Sequence, residues 1–146
     1  MAEKKISQLA AKGSALATTD LFAIAKSDGA GGYDSKYITG AEISQVIIDN
    51  KTASYTLVLA DANKLVEVNN GSANTLGVPL NATDAYAIGT RIIIAQQGAG
   101  QTTITPISGV TLRSSGGKLK IAAQYGIATL IKRATNEWYV YGDLTT

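Results

Sequence analysis

Gly126-Ile127-Ala128-Thr129-Leu130-Ile131-Lys132 and Glu137-Trp138-Tyr139-Val140-Tyr141 are two alternating runs on either side of the polar turn Arg133-Ala134-Thr135-Asn136. Successive strand residues point to opposite faces, so alternation at period two marks a half-buried strand. The spacing predicts a strand pair with Trp138 and Val140 on one face and Tyr139 and Tyr141 on the other. Trp138 is expected in the core. The tyrosines suit an interface or a partly wet surface, because the ring is apolar while the hydroxyl keeps a hydrogen bond.

The same pattern spreads outward from this pair. Tyr55-Thr56-Leu57-Val58-Leu59 alternates, with Tyr55, Leu57 and Leu59 sharing a face, and Leu65-Val66-Glu67-Val68 follows. Thr75 to Val78 runs into Pro79, which suits a strand end because proline cannot donate to the ladder. Arg91-Ile92-Ile93-Ile94-Ala95 is the most apolar run and is expected at the centre of its sheet. Gly98-Ala99-Gly100 reads as a hairpin turn into Thr102–Thr105. It lacks the Gly-Lys-Ser/Thr ending of a phosphate loop and precedes a strand rather than a helix. With Val110–Leu112 and Lys118–Ile121, about eight short strands fill residues 51–146. The fold class is mainly β, a compact antiparallel β-sandwich or barrel.

Residues 1–50 read differently. Ile6 and Leu9 are isolated apolar positions in an Ala-rich polar lead. Leu21-Phe22-Ala23-Ile24-Ala25 and Tyr33 to Ile38, separated by a glycine-rich turn, predict a hairpin over 21–38. Thr39-Gly40-Ala41-Glu42 reads as a helix start, with Ile43, Val46 and Ile47 on one face of a short helix ending near Asp49-Asn50. Residues 49–54 then make a polar hinge. An isolated hairpin is marginal in water, so this small segment is expected to be an attachment or oligomerisation element. Its docking candidates are Ile6, Leu9, Leu21, Phe22, Ile24, Tyr37, Ile38, Ile43, Val46 and Ile47.

Composition narrows the function classes. The chain has 146 residues, no His, no Cys and a formal charge of +2. Five Lys face six acids in residues 1–50, and eight basic residues face five acids in the remainder. Neither part carries the basic stripe that nucleic acid requires. Thiolate and imidazole metal sites are excluded by residue type, and no cofactor or metal is expected. No apolar run reaches the roughly 20 residues that span a bilayer, and no secretory leader is read at the N-terminus. In residues 51–146 the carboxylates are Asp61, Glu67, Asp84, Glu137 and Asp143. They sit in turns or on strand faces where structural roles are expected, so the chain is read as non-enzymatic.

Two stretches resemble bacteriophage tail-fibre and related virion proteins. Lys5-Ile6-Ser7-Gln8-Leu9, with Thr19-Asp20-Leu21-Phe22-Ala23-Ile24-Ala25 and Tyr37-Ile38-Thr39-Gly40-Ala41-Glu42-Ile43, is similar to the N-terminal segment of phage fibres. Tyr55 to Glu67, Ile88 to Ile94, Gln97 to Ile104 and Trp138 to Leu144 resemble a β-domain of such fibres. The resemblance implies a homotrimer, found in the virion after synthesis in the host cytoplasm. Its residues 1–50 would join other virion proteins of the tail, baseplate, neck or capsid, with Tyr139 and Tyr141 at a trimer interface. The alternative expectation is a receptor- or carbohydrate-binding module that uses the same tyrosines to meet a host-surface glycan.

Overall fold

A computed structural model describes residues 21–27, 33–39 and 45–146. The chain divides into two units, residues 1–45 and 46–146. In the first, β1 (Leu21–Ser27) and β2 (Tyr33–Thr39) pair antiparallel, Leu21 opposite Thr39 and Ser27 opposite Tyr33. The expected hairpin is therefore present. Residues 28–32 of its turn and residues 40–44 lie outside the described residues; Thr39, expected to open the helix, instead ends β2.

The rest of that helix is a correction. Residues 45–47 have no regular structure, and β3 (Ile48–Lys51) is a strand. The reason is tertiary. Ile47 O accepts from Leu65 N at 2.9 Å and Lys51 O accepts from Asn69 N at 2.7 Å. A neighbouring strand thus takes up backbone groups that a helix this short would satisfy poorly. The segment expected as a hinge accordingly begins inside a sheet of the second unit.

That second unit is built from β3, β4 (Tyr55–Thr56), β5 (Leu65–Val68), β6 (Asn74–Val78), β7 (Arg91–Gln96) and β8 (Thr102–Pro106). They are followed by β9 (Thr111–Ser114), β10 (Lys120–Ile121), β11 (Ile127–Ala134), β12 (Glu137–Gly142) and β13 (Leu144–Thr145). One sheet has the order β3-β5-β7-β11-β12-β9 and the other β13-β10-β8-β6-β4. From β3 to β10 the chain changes sheet at every strand, so β3, β5 and β7 run parallel in one sheet and β4, β6 and β8 parallel in the other. The β-sandwich expectation holds, but both sheets are mixed rather than antiparallel.

Gly98-Ala99-Gly100 shows why. This turn does not return β7 onto itself; it carries the chain across to β8 in the facing sheet. Such arches stack on one another. Gln97 N and Gly98 N donate to Val68 O at 2.9 and 3.0 Å, and Gly100 N donates to Asn70 O at 2.9 Å. Asn50 Nδ2 donates to Gln97 Oε1 at 3.1 Å, and Ser54 Oγ accepts from Thr75 N at 3.1 Å. A β-carbon on Gly98 or Gly100 would fall 2.2 Å from Asn70 O or 2.0 Å from Ser72 O, so only glycine admits this backbone approach.

The core lies between the sheets. Val66, Val68, Ile92, Ile94, Leu130, Trp138 and Val140 from one face Leu76, Val78, Ile104 and Ile121 from the other, all at most 2 % exposed. The expected strand 55–59 is shorter than predicted. Leu57 is buried, but Leu59 enters a 3-10 turn (Leu59–Asp61) and is half exposed. Asp61, 1 % exposed, forces this break: its Oδ2 accepts from Val58 N at 2.9 Å and from the Tyr55 hydroxyl at 3.0 Å. β7 is interior to its sheet, as its apolar run predicts.

Candidate functional site

The sheet containing β7 has an outer face that strand register assembles into rows. Ile48 lies beside Leu65, Leu65 beside Ile93, Ile93 opposite Thr129, and Thr129 opposite Tyr141. The next row brings Arg91, Ile131, Tyr139 and Arg113 together. Ile48 is 60 % exposed, Tyr141 52 %, and Tyr139 and Ile127 each 46 %, while Leu65, Ile93 and Ile131 are half-buried. A row of mainly apolar side chains thus crosses five strands, exposed at Ile48 and Tyr141, half-buried between them and interrupted on β11 by Thr129. Contiguous exposed apolar surface of this kind marks interaction sites on soluble domains.

One end of the stripe opens into a shallow groove of about 430 Å³. Tyr139, Tyr141 and Ile131 line it together with Arg113 and Ser115. Its charged edge is a cluster of two arginines sharing one glutamate. Glu137 accepts from Arg113 Nε at 2.8 Å and from Arg133 Nη1 at 2.7 Å, and Arg133 Nε donates to the Tyr139 hydroxyl at 2.9 Å. The hydrogen bond from Arg113 is the leading reason the Glu137 carboxyl titrates below its usual range. The hydrogen bond to Tyr139 and the Glu137 charge push the Arg133 guanidinium up. Exposed pairs of this kind add little to stability, because solvent and salt screen them. Here they orient Tyr139 more than they stabilise the fold.

The sequence places Tyr139 and Tyr141 on the outer face, and the structure puts them there. It adds Ile48, Leu65, Ile93 and Ile131, which alternation alone could not line up because register is a tertiary property. Val46 and Ile47 are exposed at 44 % and 60 % and belong to the second unit. Leu21, Phe22 and Ile24 lie on β1, and Tyr37 and Ile38 on β2. Ile6, Leu9 and Ile43 lie outside the described residues.

Asp61, Asp84, Glu137 and Asp143 each accept hydrogen bonds from protein groups. Asp84 Oδ1 accepts from Leu59 N at 2.8 Å and Asp143 Oδ2 from Ile127 N at 3.2 Å, beside the Asp61 and Glu137 contacts above. No cluster of three or more metal-ligating side chains occurs among the described residues.

Sequence reading missed Lys132. It is 2 % exposed, with Nζ on Asn81 Oδ1 at 2.5 Å and the Trp138 and Tyr86 ring centres at 5.6 and 5.9 Å. Those rings meet edge to face, 5.3 Å apart at 82°. Burial pushes the lysine amine below its ordinary range and the Tyr86 phenol well above its own. The signal was available. Ala128, Leu130 and Lys132 share the inward parity of β11, so a lysine falls on the core face. Comparison with protein-family models, with curated proteins and with solved structures finds no match.

Proposed function

We propose that this chain is a non-enzymatic virion structural protein, a short homotrimeric fibre that docks on a phage particle through its N-terminal segment. The observation that carries self-association is the outer-face row Ile48-Leu65-Ile93, continued past Thr129 to Tyr141, with Tyr139 and Ile131 beside it and Ile48, Tyr139 and Tyr141 exposed. Symmetric burial of one such face by copies of the same chain removes apolar surface from water and is the common solution in homo-oligomers. The threefold number and the particle rest on the resemblance of Lys5–Leu9 and Tyr55–Glu67 to fibre proteins. The local ties of Asp61, Asp84, Glu137 and Asp143 support structural roles for them.

Light scattering coupled to size exclusion tests this reading. The full chain is expected as a trimer at micromolar concentration, and Ile93→Glu with Tyr141→Lys as a monomer that keeps its circular dichroism. A monomeric parent chain would overturn the proposal.

The groove beside Tyr139 and Tyr141 favours a second reading, a glycan-binding module in which a sugar ring stacks on a tyrosine. Glycan-array binding lost in Tyr141→Ala would support it. Absence of any glycan binding by the parent chain would remove it.

A further inference from the structure

The pair Lys132 and Asn81 stands apart from the outer face. Lys132 Nζ lies 2.5 Å from Asn81 Oδ1. Ordinary N–H···O contacts fall near 2.7–3.2 Å. Nitrogen and oxygen within one amide are roughly 2.3 Å apart, from its standard bond lengths. The lysine amine is therefore seated against the asparagine carboxamide more tightly than an ordinary hydrogen bond requires. Both are held from behind. Asn81 N donates to Asn136 Oδ1 at 2.9 Å, Lys132 N donates to Thr90 O at 2.9 Å, and Lys132 O accepts from Gly89 N at 2.8 Å. The rings of Trp138 and Tyr86 close the site, and none of the ion pairs among the described residues includes Lys132.

We propose that Lys132 and Asn81 join in an isopeptide bond, the lysine amine displacing ammonia from the asparagine carboxamide. The neutral amine is the nucleophile, and burial with no neighbouring carboxylate favours that form. A bond forms between Lys132 Nζ and Asn81 Cγ, and the bond from Cγ to Nδ2 breaks. One proton moves from the attacking nitrogen to the departing one, which leaves as ammonia. Atoms and charge balance without oxidant, metal or co-reactant. The protein supplies positioning, which for well-oriented groups is worth effective concentrations on the order of 10⁵–10⁸ M. The product ties the connection between β6 and β7 to β11, residues 51 apart in sequence. This modification does not depend on the virion reading.

Intact mass spectrometry of the purified full chain, held for days at mildly alkaline pH, tests the proposal. The expected mass is one ammonia below the sequence mass, and digestion should yield a branched peptide joining Asn81 to Lys132. Asn81→Ala and Lys132→Arg should each restore the sequence mass. A parent chain that keeps its full mass overturns the proposal, with or without folded variants. So does an ammonia loss that maps to a cyclic imide at Asn70-Gly71 instead of a branched peptide.

Discussion

Replacing Gly100 or Gly98 by alanine attacks the stacking of arches directly. The new β-carbon of Gly100→Ala would sit 2.0 Å from Ser72 O and 2.3 Å from Ser72 C; that of Gly98→Ala would sit 2.2 Å from Asn70 O. These are backbone atoms, so no rotamer change relieves the clash. To reach a tolerable contact the arches must part by about 1 Å, at a typical overpacking cost of about 1–3 kcal/mol. That displacement stretches the 2.9 Å bond from Gly100 N to Asn70 O, or the 3.0 Å bond from Gly98 N to Val68 O, beyond hydrogen-bond range. Each lost bond adds about 1 kcal/mol. The expected loss is about 2–4 kcal/mol, or at least ~10 °C in Tm for a body of about a hundred residues. Gly71→Ala is the control. Nothing lies within 4 Å of its added carbon, so it should be neutral or slightly stabilising through the unfolded chain. The single tryptophan, Trp138, is buried and reports urea unfolding by fluorescence, read at fixed protein concentration because assembly shifts apparent stability. Gly98→Ala within about 0.5 kcal/mol of the parent would refute close-packed arches.

Gln96→Leu should cost about 1–3 kcal/mol, because Gln96 Oε1 accepts from the buried Thr102 N at 2.9 Å and leucine leaves that donor unpaired. A change below 0.5 kcal/mol in the same urea assay would mean that Thr102 N has another acceptor. Glu137 gives a pH test. The hydrogen bond from Arg113 leads in holding its folded pKa below the ordinary 4.5, so its contribution is fully present above that value and fades as pH falls through the folded pKa. The stability gap between the parent and Glu137→Gln should therefore narrow on acidification below about pH 4.5. A gap that stays constant down to pH 2.5 would contradict the pairing.

The difference between what the chain displays and what it hides is local against non-local pairing. Leu130 and Val140 face each other across a short turn, so hairpin register and face follow from parity alone. Val68, Asn70 and Gly98 meet across nearly thirty residues, and alternation is the same whether a strand turns back in its own sheet or crosses to the facing one. Glycine at 98 and 100 was legible as a turn. Its task of admitting a second backbone was not, because the partner at Asn70 and Ser72 is supplied by the stack. Ile43, Val46 and Ile47 have helical spacing, yet the backbone beyond them is claimed by β5, a tertiary override of a weak local preference. Lys132 was legible by parity and hidden by habit, since lysine is so seldom buried.

The candidate face follows from the same stacking. Because β3, β5 and β7 are laid parallel by successive arches, Ile48, Leu65 and Ile93 fall side by side. Antiparallel β11 and β12 then extend the row to Thr129 and Tyr141. A one-residue slip anywhere in this series would send those side chains into the core and bring Val66, Ile92 or Leu130 to the surface. The buried set therefore locks the exposed one. Core burial fixes the register, and register aligns the stripe. A charge at Ile93, midway along that row, is consequently the substitution that separates assembly from folding. It leaves every inward residue in place while adding a solvated group where an apolar partner would have to lie.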